Sequence, residues 1–159
     1  MTGSDVHRIE RLEIDEASLA AASAEAADER RVAIKDLLGD NRFTVLDAPE
    51  GPYGLRLAEA ENRLVFEVSR LDGELVRTFM LSLSPFRQVI RDYFLICESY
   101  FDAVRKATPG QIEAIDMGRR GLHNEGSELL RERLSGKVEV DFDTARRLFT
   151  LVCALRRPR

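Results

Sequence analysis

Three features of this sequence predict an α+β fold. The middle alternates apolar and polar residues with the period of a strand. The second half repeats its apolar residues every three or four positions. Short turn signals join the strands directly to one another. Together these features predict an antiparallel β-meander of about four or five strands, with three or four helices packed on one face. The 159 residues are expected to form a single domain. In that reading residues 1–7 are disordered, 8–83 are mainly β with one N-terminal helix, and 84–159 are helical.

The elements follow in order. Residues 8–14 alternate weakly through Ile9, Leu12 and Ile14, which predicts an edge strand. The alanine-rich stretch from Ala17 to Leu38 reads as a helix, in one piece or two, ending at Gly39. Phe43 to Leu46 is a short strand, and Pro49-Glu50-Gly51-Pro52 a turn. Tyr53 to Ala58 carries Leu55 and Leu57 on one face. Arg63 to Arg70 alternates cleanly, with Leu64, Phe66 and Val68 on one side. Asp72-Gly73 predicts a hairpin with positive φ at both central positions, and Leu75 to Leu83 returns as its partner. Ser84-Pro85 opens a helix whose apolar stripe runs from Phe86 through Val89, Ile90, Tyr93, Cys97, Tyr100 and Phe101 to Val104. Thr108-Pro109-Gly110-Gln111 has the spacing of a capping box. Gly136 suits a helix stop, and Asp143 is expected to cap a last helix through Leu155.

Composition narrows the function. No apolar run approaches the roughly 20 residues of a membrane helix. The chain starts with small polar residues rather than a secretory leader, so a cytoplasmic protein is expected. Cys97 and Cys153 read as reduced, buried thiols. The formal net charge is −4, but it is unevenly spread. Residues 1–80 hold 10 basic and 17 acidic side chains, and residues 81–159 hold 14 and 11. Only three of the basic residues are lysine. Arginine forks match phosphate and carboxylate geometry, although a GC-rich genome gives the same bias with no function behind it.

One segment stands out. Gly118-Arg119-Arg120-Gly121-Leu122-His123-Asn124-Glu125-Gly126 places three glycines inside a helical pattern. Each costs about 1 kcal/mol relative to alanine in a helix. Either the glycines allow close helix contact, or the helix breaks near Gly121; on both readings Gly121 needs a small side chain. A break would expose backbone amides beside Arg119 and Arg120, an anion site in which Asn124 takes part and His123 serves as acid or base. Glu98 or Asp116, brought over by the fold, would be the partner of His123. The same segment equally fits tight packing with solvated arginines. His123, Glu125 and Glu128 do not converge on one helix face, so no metal site is expected. Neither a Walker loop nor a dinucleotide fingerprint is present, and no cofactor is expected. Arg146, Arg147, Arg156, Arg157 and Arg159 cluster near the C-terminus, where they could grip phosphates or suit a helix dipole.

The stretches YFLICESY (93–100), ATPGQIEAIDMGRRGLHNEGSELLRERL (107–134) and VEVDFDTARRLFTL (138–151) carry a resemblance. With Pro85-Phe86 and the hairpin before it, they resemble the bacterial uncharacterised protein family 0262. The resemblance implies a bacterial cytosolic protein of this length. It implies no activity, cofactor or catalytic residue.

Three functional readings remain open on the sequence. The first is a non-catalytic binding or regulatory module acting through the C-terminal helices, with a protein partner or a second copy of the chain. The second is a small enzyme or ligand-binding domain with an anion pocket at Arg119, Arg120, His123 and Asn124. The third is association with structured RNA. The negative net charge argues against general DNA binding, and no membrane partner is expected.

Overall fold

The computed structural model describes residues 6–19 and 22–157. Four strands form one sheet in the order β1-β3-β4-β5: Ile9–Ile14, Tyr53–Ala60, Arg63–Arg70 and Leu75–Ser82. The three later strands are the antiparallel meander that the alternation predicts. β1 is the edge strand, but it runs parallel to β3. A long crossover separates the two in sequence, and it contains a short 3-10 turn at Glu16–Ser18, the helix α1 (Ala24–Gly39) and β2 (Phe43–Val45). Strands joined this way can run parallel, whereas two-residue turns force antiparallel neighbours.

β2 leaves the main sheet. It pairs antiparallel with β6 (Val138–Val140), Phe43 opposite Val140 and Val45 opposite Val138. Three residues following a glycine turn gave β6 no readable period in the sequence. The turns also differ from expectation. In the β4–β5 loop only Gly73 takes a positive φ, +97°, and the Asp72 carboxylate accepts the Glu74 N–H at 2.9 Å. The two-residue turn with both φ values positive is instead Glu61-Asn62, between β3 and β4.

Three further helices follow: α2 (Arg87–Lys106), α3 (Pro109–Leu134) and α4 (Phe142–Leu155). α2 packs on α3, α3 on α4 and α4 on α1. α4 is buried almost all round, through Ala145, Leu148, Phe149, Leu151, Val152 and Leu155. Leu55, Leu57, Leu64, Phe66, Val68, Phe79 and Leu81 share one sheet face and join the helices in a single core. Phe66 and Phe79 stack there, ring centroids 4.7 Å apart.

Helix starts were legible in one case of three. Thr108 and Gln111 form the expected capping box on α3. The cap of α4 is Asp141, whose side chain accepts the Thr144 N–H at 2.9 Å; Asp143 lies one step inside, in the first turn. Ser84 opens a 3-10 turn rather than capping α2, and its hydroxyl accepts from the Asn62 amide at 3.1 Å. Gly136 closes α3 with φ +89°. Of the segment 1–7, residues 1–5 fall outside the described residues; the His7 carbonyl accepts the Phe43 N–H at 2.7 Å.

Candidate functional site

α3 is continuous through all three glycines. Each meets a different environment. A Cβ on Gly126 would fall 2.1 Å from the Phe149 ring. One on Gly118 would meet only the flexible end of Ile96, at 2.8 Å, and one on Gly121 nothing within 4 Å. Close packing against α4 therefore rests on Gly126. The expectation of a break near Gly121, or of a crowded contact there, is corrected.

Without a break, α3 presents its side chains rather than its amides. Arg119, Arg120 and His123 project from α3 into one open cleft of about 400 Å³. The opposite wall is α4, with Asp143, Arg146, Arg147 and Thr150, and Tyr93 of α2 closes one side. Asn124 is exposed and is not part of the cleft lining. It follows His123 by one residue, a turn of about 100° around the helix. Arg146 and Arg147 stand out in the sequence only as part of a basic C-terminus. Their spacing with Asp143 and Thr150 marks one helix face, but nothing local says that this face meets α3.

The arginines are held differently. Asp116 takes Arg119 on Oδ1, from Nε at 3.0 Å and from a terminal nitrogen at 2.5 Å. It takes Arg120 Nε on Oδ2 at 3.2 Å. The hydrogen bond from Arg119 holds the Asp116 carboxyl below its usual range. Arg119 also lies over the Tyr100 ring, 4.6 Å from its centroid. Arg147 approaches Asp40 at 3.8 Å, where the aspartate is 81% exposed. Arg146 is exposed and makes no ion pair among the described residues.

His123 is only 8% exposed. Its ring meets Tyr93 and Phe149 edge to face, at 5.3 and 5.2 Å. Nε2 lies 2.8 Å from Thr150 Oγ1 and Nδ1 3.4 Å from Ser127 Oγ. Burial first, then the charges of Arg146 and Arg119, push its pKa down to about 4. The expected carboxylate partners are elsewhere: Asp116 belongs to the arginines, and Glu98 lines a separate apolar groove with Ile90 and Phe94.

The other C-terminal arginines point to the acidic half of the chain. Arg156 pairs with Glu59 at 2.6 Å, and Arg157 with Glu29 at 2.7 Å and Glu25 at 3.1 Å. Arg159 lies outside the described residues. Both cysteines are free, Cys153 buried and Cys97 half-buried. Among the described residues no group of three or more His, Cys, Asp or Glu could hold a metal ion. No described helix is long and apolar enough to cross a membrane.

The structure is that of an α+β protein with an arginine-walled cleft between its last two helices. Residues 6–158 match the family described as "Uncharacterised protein family (UPF0262)", and the chain belongs to it. It is 62% identical to the UPF0262 protein of Caulobacter vibrioides and 60% to that of Hyphomonas neptunium. Each match covers 94% of this chain and 92% of the relative. A UPF0262 protein of Mesorhizobium japonicum is 57% identical, over 98% of both chains. No solved structure matches the chain.

Proposed function

We infer that this protein is a cytoplasmic binding module rather than a catalyst, and that α3 and α4 form its site for an anionic, phosphate-type group. The observation that carries this is the convergence of Arg119, Arg120, Arg146 and Arg147 from two helices on one cleft. Guanidinium forks donate two parallel N–H groups to an oxyanion, so four around one cavity suit that ligand chemistry. Exposed Arg146 meets a ligand without first giving up an ion pair among the described residues.

The surroundings of His123 support binding over catalysis. A general base works best with a pKa near the working pH, and this ring is driven well below it. Among the described residues no carboxylate bonds the ring; the hydroxyls of Thr150 and Ser127 do.

Thermal melts in millimolar sulfate test the reading. A ligand that binds only the folded state raises Tm with concentration. The wild-type protein is expected to gain stability from sulfate, and Arg146→Ala to lose most of that gain. The variant's own stability should stay within about 0.5 kcal/mol of wild type, since the side chain is exposed. Equal sulfate shifts in both proteins would indicate general salt stabilisation and count against the site.

A further inference from the structure

One contact around His123 is mismatched when the neutral ring carries its proton on Nε2. With the Thr150 hydroxyl donating to the Arg146 carbonyl at 3.0 Å, the lone pair of Oγ1 faces His123 Nε2, and that tautomer is the one the contact selects. Ser127 Oγ donates to the His123 carbonyl at 2.7 Å. What it turns toward Nδ1, 3.4 Å away, is also a lone pair. Two acceptors thus face each other, and a proton on Nδ1 would convert the contact into an N–H···O bond.

Burial and positive charge oppose that proton. Arg146 approaches from α4 and Arg119 from α3. Arg120 and Asp116 stand beside Arg119, and Arg147 and Asp143 line the same cleft. From α2 comes the Tyr93 phenol, near the Cys97 thiol; burial raises both, so both stay neutral. Cys153, buried on α4, is likewise neutral through burial. An anion between the arginines would offset the positive charges and leave the ready hydrogen bond to Ser127.

We propose that the cleft takes a tetrahedral dianion of the phosphomonoester class, and that binding it draws a proton from solvent onto His123 Nδ1. This rests on the anion-site reading above. Four guanidinium charges against the carboxylates of Asp116 and Asp143 leave two net positive charges, and the proton on His123 adds a third. Asp40, 81% exposed beside Arg147, is screened by water. A dianion offsets two of these charges, whereas a phosphodiester, with a single charge, offsets only one. A cleft of about 400 Å³ also has room for an organic group beside the phosphoryl oxygens.

Isothermal calorimetry on the full chain tests this, with sulfate as the probe because it stays a dianion at both pH values used. Titrations at about pH 5.5 and about pH 7.5, in buffers of different ionisation enthalpy, count the protons taken up. The expected result is several-fold tighter binding at the lower pH with net proton uptake. His123→Gln should still bind sulfate, with neither pH dependence nor proton uptake. A second measurement needs no variant at the buried ring. The chain has two histidines, so two imidazole signals appear in its NMR spectrum, and His7→Gln assigns them. Saturating sulfate should move the His123 titration midpoint upward from about 4. An unmoved midpoint, or a pH dependence that survives His123→Gln, overturns the proton coupling while leaving the anion site standing. Absence of sulfate binding at both pH values overturns the anion site itself. Dimethyl phosphate binding as tightly as glycerol 3-phosphate, or a short RNA binding more tightly, overturns the assignment to a small dianion.

Discussion

His123 sits where α2, α3 and α4 meet, and its chemistry is set by residues from all three. In the unfolded chain an imidazole titrates near 6.5; in the fold, burial and the flanking arginines lower that to about 4. As pH falls through 6.5 the unfolded chain takes up a proton that the folded protein refuses. Stability is therefore full above about 6.5 and declines toward pH 4, at up to about 1.4 kcal/mol per pH unit. Urea denaturation of wild type and His123→Gln in chloride buffers between these limits should show the wild type losing more stability than the variant. Parallel curves would mean that the ring is not held neutral. Burial acts on the cysteines too, raising both thiol pKa values. Raised thiols are poor nucleophiles; the expectation of two buried thiols holds for Cys153, whereas Cys97 is only half-buried.

At the scale of the element, α3 shows that three glycines in one helix can have three different explanations. Gly126 lies against the tip of the Phe149 ring and leaves no room for a methyl group. Gly126→Ala should cost about 1–3 kcal/mol, the range for overpacking a core contact. Gly121 faces open space. Gly121→Ala should add about 1 kcal/mol of stability by helix propensity alone. Chemical denaturation reads both, and opposite signs are the expected outcome. A loss at Gly121 would restore the crowded contact that the sequence suggests. α2 gives a similar lesson. Its apolar stripe is plain in the sequence, yet Phe101 is 68% and Val104 53% exposed. The periodicity predicts the helix; how far the neighbouring elements cover it depends on where the α2–α3 hairpin lies relative to the sheet.

Across the whole molecule, the acidic first half and the basic second half are joined by specific pairs. Arg30 of α1 is buried beneath the end of α4. It bonds Glu16 at 2.8 Å and approaches the Ala154 carbonyl at 3.5 Å. Arg30→Ala should cost about 2 kcal/mol, because it empties a buried site and removes the donor facing the Ala154 carbonyl. Glu16→Gln should cost less than about 1 kcal/mol, since that carboxylate is 66% exposed. Thermal or urea unfolding of the two variants separates the cases; equal losses would mean that the ion pair, rather than burial of the guanidinium, carries the stabilisation. Arg30 and Glu16 both belong to the acidic half; the charge asymmetry joins the two halves through Arg156 with Glu59 and through Arg157 with Glu25 and Glu29.

Local order alone determined much of this protein: the α+β class, the β3–β5 meander, the apolar stripe of α2, the capping box of α3 and the stop at Gly136. Each depends on residues within a few positions of one another, where period, φ preference and capping act directly. Arg119, Arg120 and His123 drew attention because the glycines around them are costly in a helix; the structure keeps the helix whole and brings the three side chains to one cleft. Tertiary structure alone decided that β1 lies parallel to β3, that β2 pairs with a strand more than ninety residues away, and that Gly126 rather than Gly121 is the packing glycine. It alone decided the composition of the cleft. Contacts from Arg131 to Val140 and from His123 to Thr150 show α3 and α4 running in opposite directions. That arrangement brings Arg146, Arg147 and Thr150 to Arg119 and Arg120. The physical reason is that helix pairing is chosen by complementary surfaces over the whole length of two helices. Here a missing side chain at Gly126 receives the ring of Phe149, a match that neither segment displays by itself.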